Sequence, residues 1–252
     1  MEALARLKTL GTPLRAHLMS WINRHSKNHM VVYRPESHYV FNRFPDFPEL
    51  FEGWLAGNMP RNSGDLTRFY TLYLNVDKIL RDGVPGDVVE LGVYKGNSAV
   101  LLAQLARRYQ RQLYLFDTFY GFDSSDLRGL DKDKSVEFAD TSLPAVQSLV
   151  GTENITYVPG LFPASLSQVP MFDHIAAAHI DCDLYEPIRA GLEYFYPRLS
   201  PGGVLVLHDY SSGFWPGATR AIDEFFAPLP EKPILVADKS GTAIIRKASP
   251  CE

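Results

Sequence analysis

The chain of 252 residues amounts to about one α/β domain with room for an appendage, and it is long enough to bury a large core. Hydrophobic residues make up 46% and charged residues 21%, which excludes a disordered chain; the net charge of -4 argues against a dedicated nucleic-acid binder, because neutralising phosphates needs a basic surface. No uncharged apolar run approaches the ~18 to 20 residues of a bilayer span, and Cys182 and Cys251 have neither a disulfide framework nor a zinc-type spacing, which fits a reducing cytoplasm.

The N-terminal stretch MEALARLKTLGTPLRAHLMSWINRHSKNH carries apolar residues at helical spacing among basic ones. It lacks the apolar core and cleavage site of a signal peptide, and such a helix is expected to pack on its own domain or on a second subunit rather than to lie on a membrane. Residues 34–62 are rich in Pro, Phe and Asn and read as irregular. Residues 1–62 are therefore expected to form an extension, a lid or a contact in a dimer, ahead of a main domain over 63–252.

From residue 64 the pattern becomes regular. GDLTRFYTLYLNVDKIL reads as a helix, DVVELGV as a strand, NSAVLLAQLARRYQ as a helix, LYLFDTF as a strand and DTSLPAVQSLV as a helix. NITYVPG and HIAAAHIDC follow as strands, EPIRAGLEYFYPRL as a helix, GGVLVLHDY as a strand and PGATRAIDEFF as a helix. ILVADKSGTAIIRK reads as two strands joined by a Lys-Ser-Gly turn. Strands alternating with helices predict a doubly wound, mostly parallel seven-stranded sheet, and the closing hairpin makes the last strand antiparallel. In such sheets ligands sit beyond the carboxyl ends of the strands.

The first strand ends in ELGVYKGNSA, where Gly92 and Gly96 allow a sharp turn and close approach to a ligand. Glu90 beside them would repel a pyrophosphate, so the site suits a ligand less anionic than a dinucleotide, such as a sulfonium or an ammonium. Asp117, at the end of the second strand, has the placement to accept ribose hydroxyls. Asp140 and Thr141 precede a helix, where they act either as N-caps or as ligand contacts.

HIDCDLY puts Asp181 and Asp183 on one face if the strand continues through them. His208 and Asp209 converge only if the chain has already left its strand. Asp181, Asp209 and His208 then offer hard oxygen and imidazole ligands to a divalent cation, with positions left open for a substrate. Cys182 points away, as packing rather than as a nucleophile. Phe119, Tyr120, Phe122, Phe214 and Trp215 form an aromatic group suited to core, lid or acceptor packing.

Taken together, ELGVYKG, FDTFYGF, FADTS, IDCDLYEP and PRLSPGGVLVLHDY with PGATRAIDEFF resemble the macrocin O-methyltransferase family over roughly Gly64 to Phe226. The resemblance implies a class I, Rossmann-like, metal-dependent methyltransferase that uses S-adenosylmethionine. It implies that Glu90, Gly92, Gly96 and Asp117 line the cofactor pocket, and Ser98, Asp140 and Thr141 are counted with them. It further implies that Asp181 and the acidic pair after the fifth strand hold Mg²⁺, with Asp183 as general base. Here the pair is His208-Asp209 where the family often has two aspartates, which makes Mn²⁺ or Fe²⁺ more competitive with Mg²⁺ or leaves His208 as a hydrogen-bonded scaffold. The expected acceptor is a small-molecule hydroxyl, on a sugar of a natural product or on a catechol-like phenol. Two other functions compete: a dinucleotide oxidoreductase, against which Glu90 and the missing third glycine speak, and a binder of S-adenosylmethionine that does not transfer its methyl group.

Overall fold

The computed structural model describes residues 12–26, 30, 44–58, 64–135 and 137–248. The chain divides into two compact units, Met1–Glu49 and Leu50–Glu252. Helix α1 (Thr12–His25) belongs to the first, and on it the Trp21 and His25 rings stack at 5.2 Å. About half of the stretch expected to be irregular, residues 34–43 and 59–62, lies outside the described residues. Where it is described it is partly helical: α2 spans Phe47–Asn58. Its apolar residues recur at 47, 50, 51 and 54, a helical period that the prolines and phenylalanines around them disguise, and Pro48 sits in the first turn where a missing N–H costs nothing. Leu50, Phe51 and Trp54 are buried, with Phe51 and Trp54 edge-on to Phe69.

The second unit is built on a seven-stranded sheet in the order β3-β2-β1-β4-β5-β7-β6. Its strands are β1 (Asp87–Leu91), β2 (Leu113–Asp117), β3 (Ile155–Pro159), β4 (Ile175–Ile180), β5 (Leu199–Leu207), β6 (Ile234–Leu235) and β7 (Ala243–Arg246). The first five pair in parallel, and β7 is antiparallel to both β5 and β6, as the closing hairpin predicts. The expected tight turn there is instead the stretch 236–242, gathered by Asp238, whose Oδ1 accepts from Gly241 N and Thr242 N. The strand order reverses between β1 and β4, so their carboxyl ends diverge and leave a crevice.

The intervening helices are α3 (Leu66–Arg81), α4 (Asn97–Arg108), α5 (Leu143–Val150), α6 (Tyr185–Arg198) and α7 (Pro216–Phe226). Asp65 caps α3 by accepting from Arg68 N. Every residue of β4 is buried, as its apolar run IAAAHI dictates for a central strand covered on both faces. Phe116 has no exposure and meets the rings of Phe162, Phe172 and Phe195; truncating a side chain so enclosed costs about 3–5 kcal/mol.

Between β2 and α5 the chain forms two short 3₁₀ turns, Ser124–Asp126 and Gly129–Asp131. The second buries Asp131 completely and points its Oδ2 at Tyr185 N, 2.8 Å away, so the first turn of α6 is capped from a distant loop. The same carboxylate lies against the start of α7, where a Cβ on Gly217 would meet Asp131 Oδ2 at 2.3 Å. No described helix is long and apolar enough to cross a membrane.

Candidate active site

A cavity of about 490 Å³ opens at the carboxyl ends of β1 and β4, with walls from the loops after β1, β2, β4 and β5 and from α2 and α3. The tips of β1 and β4 touch: Asp181 N donates to Leu91 O at 2.8 Å. Gly92 has φ of +89°, and a Cβ there would lie 2.0 Å from Asp181 O, so only glycine passes this point. Beyond it Val93, Tyr94, Lys95, Asn97 and Ser98 line the cavity as the chain turns into α4.

Asp117 also lines the cavity, yet both of its oxygens hold the turn. Its Oδ2 accepts from Val93 N at 2.6 Å and Tyr94 N at 2.9 Å, and its Oδ1 from Phe119 N at 2.6 Å. Thr118 Oγ1 stands 3.4 Å from Oδ1 as a fourth and longest contact, so the turn engages all of the about four lone-pair sites of this carboxylate. Thr141 Oγ1 donates to Tyr94 O, and Asp140 accepts from Tyr94 Oη at 2.6 Å and Lys95 Nζ at 2.5 Å. The bond from Lys95, then that from Tyr94, draws the Asp140 carboxyl down to about 2. Asp140 and Thr141 thus brace the outside of the β1 loop rather than line the cavity. They do not cap α5, whose N-cap position is Ser142.

Glu90 and Gly96 also lie outside the cavity wall. Glu90 has no exposure and sits beside His179 on β4, its register partner, with Oε1 at 2.8 Å from His179 Nδ1. A residue two positions short of Gly92 is still inside the sheet, so its side chain is enclosed by helices instead of facing the crevice. Gly96 gives α4 its left-handed entry and lets the turn pack on α5, since a Cβ would stand 3.0 Å from Val150 Cγ2.

Asp181, Cys182, Asp183, His208 and Asp209 all line the cavity. The strands end at Ile180 and Leu207, and Asp183 and Asp209 take positive φ of 62° and 59°. The convergence of Asp181 with Asp183 therefore comes from a turn and not from strand alternation, whereas His208 and Asp209 have left their strand as expected. Cys182 faces the cavity too, against the expectation of an opposite face, because the turn removes the alternation. Burial, then the charges of Asp183 and Asp181, push its thiol well above the ordinary range, so it is not a thiolate nucleophile.

Within this group His208 Nδ1 stands 2.8 Å from Asp181 Oδ1 and 2.8 Å from Asp209 Oδ2. Arg68, from α3, donates to Asp181 Oδ2, and its guanidinium lies 5.9 Å from the Trp54 ring centroid. Against the cost of burial, Arg68 and then His208 hold the Asp181 carboxyl far below its usual range. Burial, then Asp209 and Asp181, hold the Asp183 carboxyl well above it. Burial and Arg68 lower the His208 pKa, but the two aspartates outweigh them and raise it to about 9.

This donor set fits a divalent cation. One ligand atom from each of Asp181, His208 and Asp209 falls within 4.8 Å of the others. Three converging carboxylates need compensating charge; Arg68 and the His208 proton supply it here, and a bound cation would take the place of that proton.

Phe122 and Trp215 line the cavity, and Phe138 joins them through ring contacts of 5.1 Å with Phe122 and 6.3 Å with Trp215. Tyr120 and Phe214 are exposed instead, and Lys134 ties the Phe214–Trp215 segment down by donating to Phe214 O at 2.5 Å. Arg68, Trp54, Asn58, Asp126 and Phe138 are cavity residues that sequence reasoning did not find. For Arg68 a signal existed: it heads the buried stripe Arg68, Leu72, Val76, Ile79 on α3, where a charge needs a partner.

The sequence model of the macrocin O-methyltransferase family matches residues 61–243. The chain is 28% identical over 197 residues to the 8-demethyl-8-(2,3-dimethoxy-alpha-L-rhamnosyl)-tetracenomycin-C 4'-O-methyltransferase of Streptomyces olivaceus, covering 72% of this chain and 75% of that one. It is 32% identical over 176 residues to the mycinamicin III 3''-O-methyltransferase of Micromonospora griseorubida, covering 64% and 68%. Among solved structures, that of the O-methyltransferase NovP aligns with a TM-score of 0.63 and 25% identity, over 73% of this chain and 80% of the other.

Proposed function

The chain belongs to the macrocin O-methyltransferase family, and on that premise we propose that it moves the methyl group of S-adenosylmethionine to a sugar hydroxyl of a natural-product intermediate, with a divalent cation at Asp181, His208 and Asp209. Its reaction class is O-methylation dependent on S-adenosylmethionine, as in the named relatives. One observation carries the finer reading: acids from two strand tips, Asp181 with Asp183 and Asp209, gather in the same cavity as the Gly92–Ser98 turn.

Methyl transfer from a sulfonium releases a neutral thioether, so the leaving group needs no acid. The acceptor oxygen needs alignment and loss of its proton. Gly92 through Ser98 supply a close backbone surface for the cofactor, held in shape by Asp117 from below and by Thr141 and Asp140 from outside. A bound divalent cation would supply Lewis acidity that makes an alcohol easier to deprotonate. Asp183 is the residue placed to receive that proton. Its position among like charges makes its carboxylate a strong proton acceptor, and general-base help of this kind is worth about 10² to 10⁴-fold. Arg68 holds Asp181 so that one oxygen remains turned to His208.

The test is release of S-adenosylhomocysteine from S-adenosylmethionine with rhamnosyl-bearing and amino-sugar-bearing acceptors, in the presence of a chelator and after Mg²⁺ or Mn²⁺ is restored. Acceptor-dependent release that the chelator stops and the metal recovers supports the whole reading. Release that ignores the chelator removes the metal, and binding of S-adenosylmethionine without release from any acceptor favours a non-methylating binder.

A further inference from the structure

One carboxylate in the cavity wall has no partner to satisfy it among the described residues. Asp126, at the end of the 3₁₀ turn after β2, lines the cavity with Phe122, Asp123, Phe138 and Trp215, and its side chain has no hydrogen-bond or ion-pair partner among the described residues. Its neighbour Asp123 is fully engaged, accepting from Ser125 N at 2.9 Å, Ser125 Oγ at 2.7 Å and Tyr120 Oη at 3.3 Å. Arg128, the cation whose field reaches Asp126, is turned to Glu186 at 3.1 Å. Burial first, then the charges of Asp123 and Glu186, push the Asp126 carboxyl up to about 6. In the same cavity His208, 6% exposed and held through Nδ1 by Asp181 and Asp209, has no partner on Nε2 among the described residues.

The chemistry of a suitable occupant follows. A hydroxyl group would satisfy a lone pair of Asp126 and leave its like-charge repulsion standing, whereas an ammonium would satisfy the lone pair and offset the repulsion. Phe122 and Trp215 meet edge to face at 5.6 Å, giving the wall aromatic surface that also favours a cation. Lys134 is bound to Phe214 O and lies over the Phe214 ring at 3.6 Å and the Trp215 ring at 4.5 Å, so its charge is already committed to holding that wall. We infer that Asp126 is a specificity-determining residue that selects an acceptor carrying a protonated amine, an amino sugar or a comparable hydroxylated amine, by pairing with its ammonium beside the Phe122–Trp215 wall. The inference rests on the methyltransferase reading and deepens it.

The test uses the full chain loaded with S-adenosylhomocysteine and calorimetric titration near neutral pH with methyl glucosaminide, its N-acetyl derivative and methyl glucoside. The glucosaminide should bind about tenfold more tightly than the two neutral glycosides, as a charge-assisted hydrogen bond predicts. Asp126→Asn should erase that preference and keep the affinity for S-adenosylhomocysteine. Equal affinity for the three glycosides, no saturable binding of the glucosaminide, or an unchanged preference in the variant overturns the inference. Loss of S-adenosylhomocysteine affinity in Asp126→Asn also overturns it, by assigning the carboxylate to the cofactor. The comparison of amine with N-acetyl amine in the unmutated protein stands even if the variant fails to fold. Failure to bind S-adenosylhomocysteine at all sinks the methyltransferase reading as well, while binding without amine preference sinks only this one.

Discussion

Arg68 on α3 donates to Asp181 at the tip of β4, a contact between residues 113 positions apart that joins the helix before the sheet to the acids beyond it. The two side chains are only 11% and 19% exposed, so each is the other's main compensation for lost hydration. Arg68→Met would leave Asp181 buried and short of a partner. Such a break costs about 3–5 kcal/mol, and Arg68→Lys, which keeps the charge, should recover part of it. Chemical denaturation of the three proteins measures the differences; equal midpoints would show that the contact contributes nothing.

Gly92→Ala tests the touching strand tips. The new Cβ would lie 2.0 Å from Asp181 O at a φ of +89°, so the β1 loop must move away from β4. Strain of this kind costs about 1–2 kcal/mol before the clash is added. We expect a lower Tm together with at least about tenfold weaker binding of S-adenosylmethionine, because the displaced backbone is the proposed cofactor wall. A variant with unaltered Tm and affinity would mean that the tips are farther apart than described.

Asp183→Asn separates binding from chemistry. The amide keeps the shape and the turn but takes up no proton, so turnover should fall about 10² to 10⁴-fold with the affinity for S-adenosylmethionine preserved. Single-turnover rates beside equilibrium titration distinguish the two quantities. Near-normal turnover removes Asp183 from the role of base.

His208→Asp probes what the imidazole does in the proposed cation site. An all-oxygen set suits Mg²⁺, while an imidazole favours later first-row metals. The variant should therefore shift the ratio of Mg²⁺ to Mn²⁺ concentrations needed for half-maximal activity toward Mg²⁺, by roughly tenfold. An unchanged ratio would make His208 a scaffold.

Asp126 links function to stability. Its carboxyl, at about 6 against an ordinary 3.8, holds its proton more tightly in the folded chain than in the unfolded one. The stability that this preference contributes is complete below the unfolded value and is lost as pH rises through about 6. Asp126→Asn cannot ionise and escapes the loss. Without acceptor, its Tm relative to the unmutated protein should be near parity at about pH 4 and higher at about pH 7. A variant less stable at neutral pH would reveal a partner for Asp126 within the protein.

Much of this architecture is legible in the amino-acid order. The βα alternation, the closing hairpin and the positions of Asp181, Asp183, His208 and Asp209 at strand ends follow from short-range patterns, because hydrophobic periodicity and turn residues act over a few positions. The same local reasoning counts Glu90 and Gly96 with the cavity wall, which they lie behind, and offers Asp140 and Thr141 as N-caps or ligand contacts, where Ser142 holds the cap position and the two residues brace the β1 loop. Near a strand tip a shift of one or two residues decides whether a side chain faces the crevice or the packed helices.

What the order of residues determined by itself is the alternation of strands and helices from residue 64 on, the antiparallel closing strand and the rule that a ligand sits beyond the strands' carboxyl ends; the order of strands along the sheet, and with it the crevice between β1 and β4, came from the folded chain. Only the folded chain decided which groups meet there: Arg68 with Asp181, Glu90 with His179, Asp131 with the start of α6. These are pairings of buried charges and polar groups across 54 to 113 positions, formed because groups cut off from water must find partners wherever packing places them. No local pattern encodes that choice, since it belongs to the joint geometry of elements that are far apart in the chain.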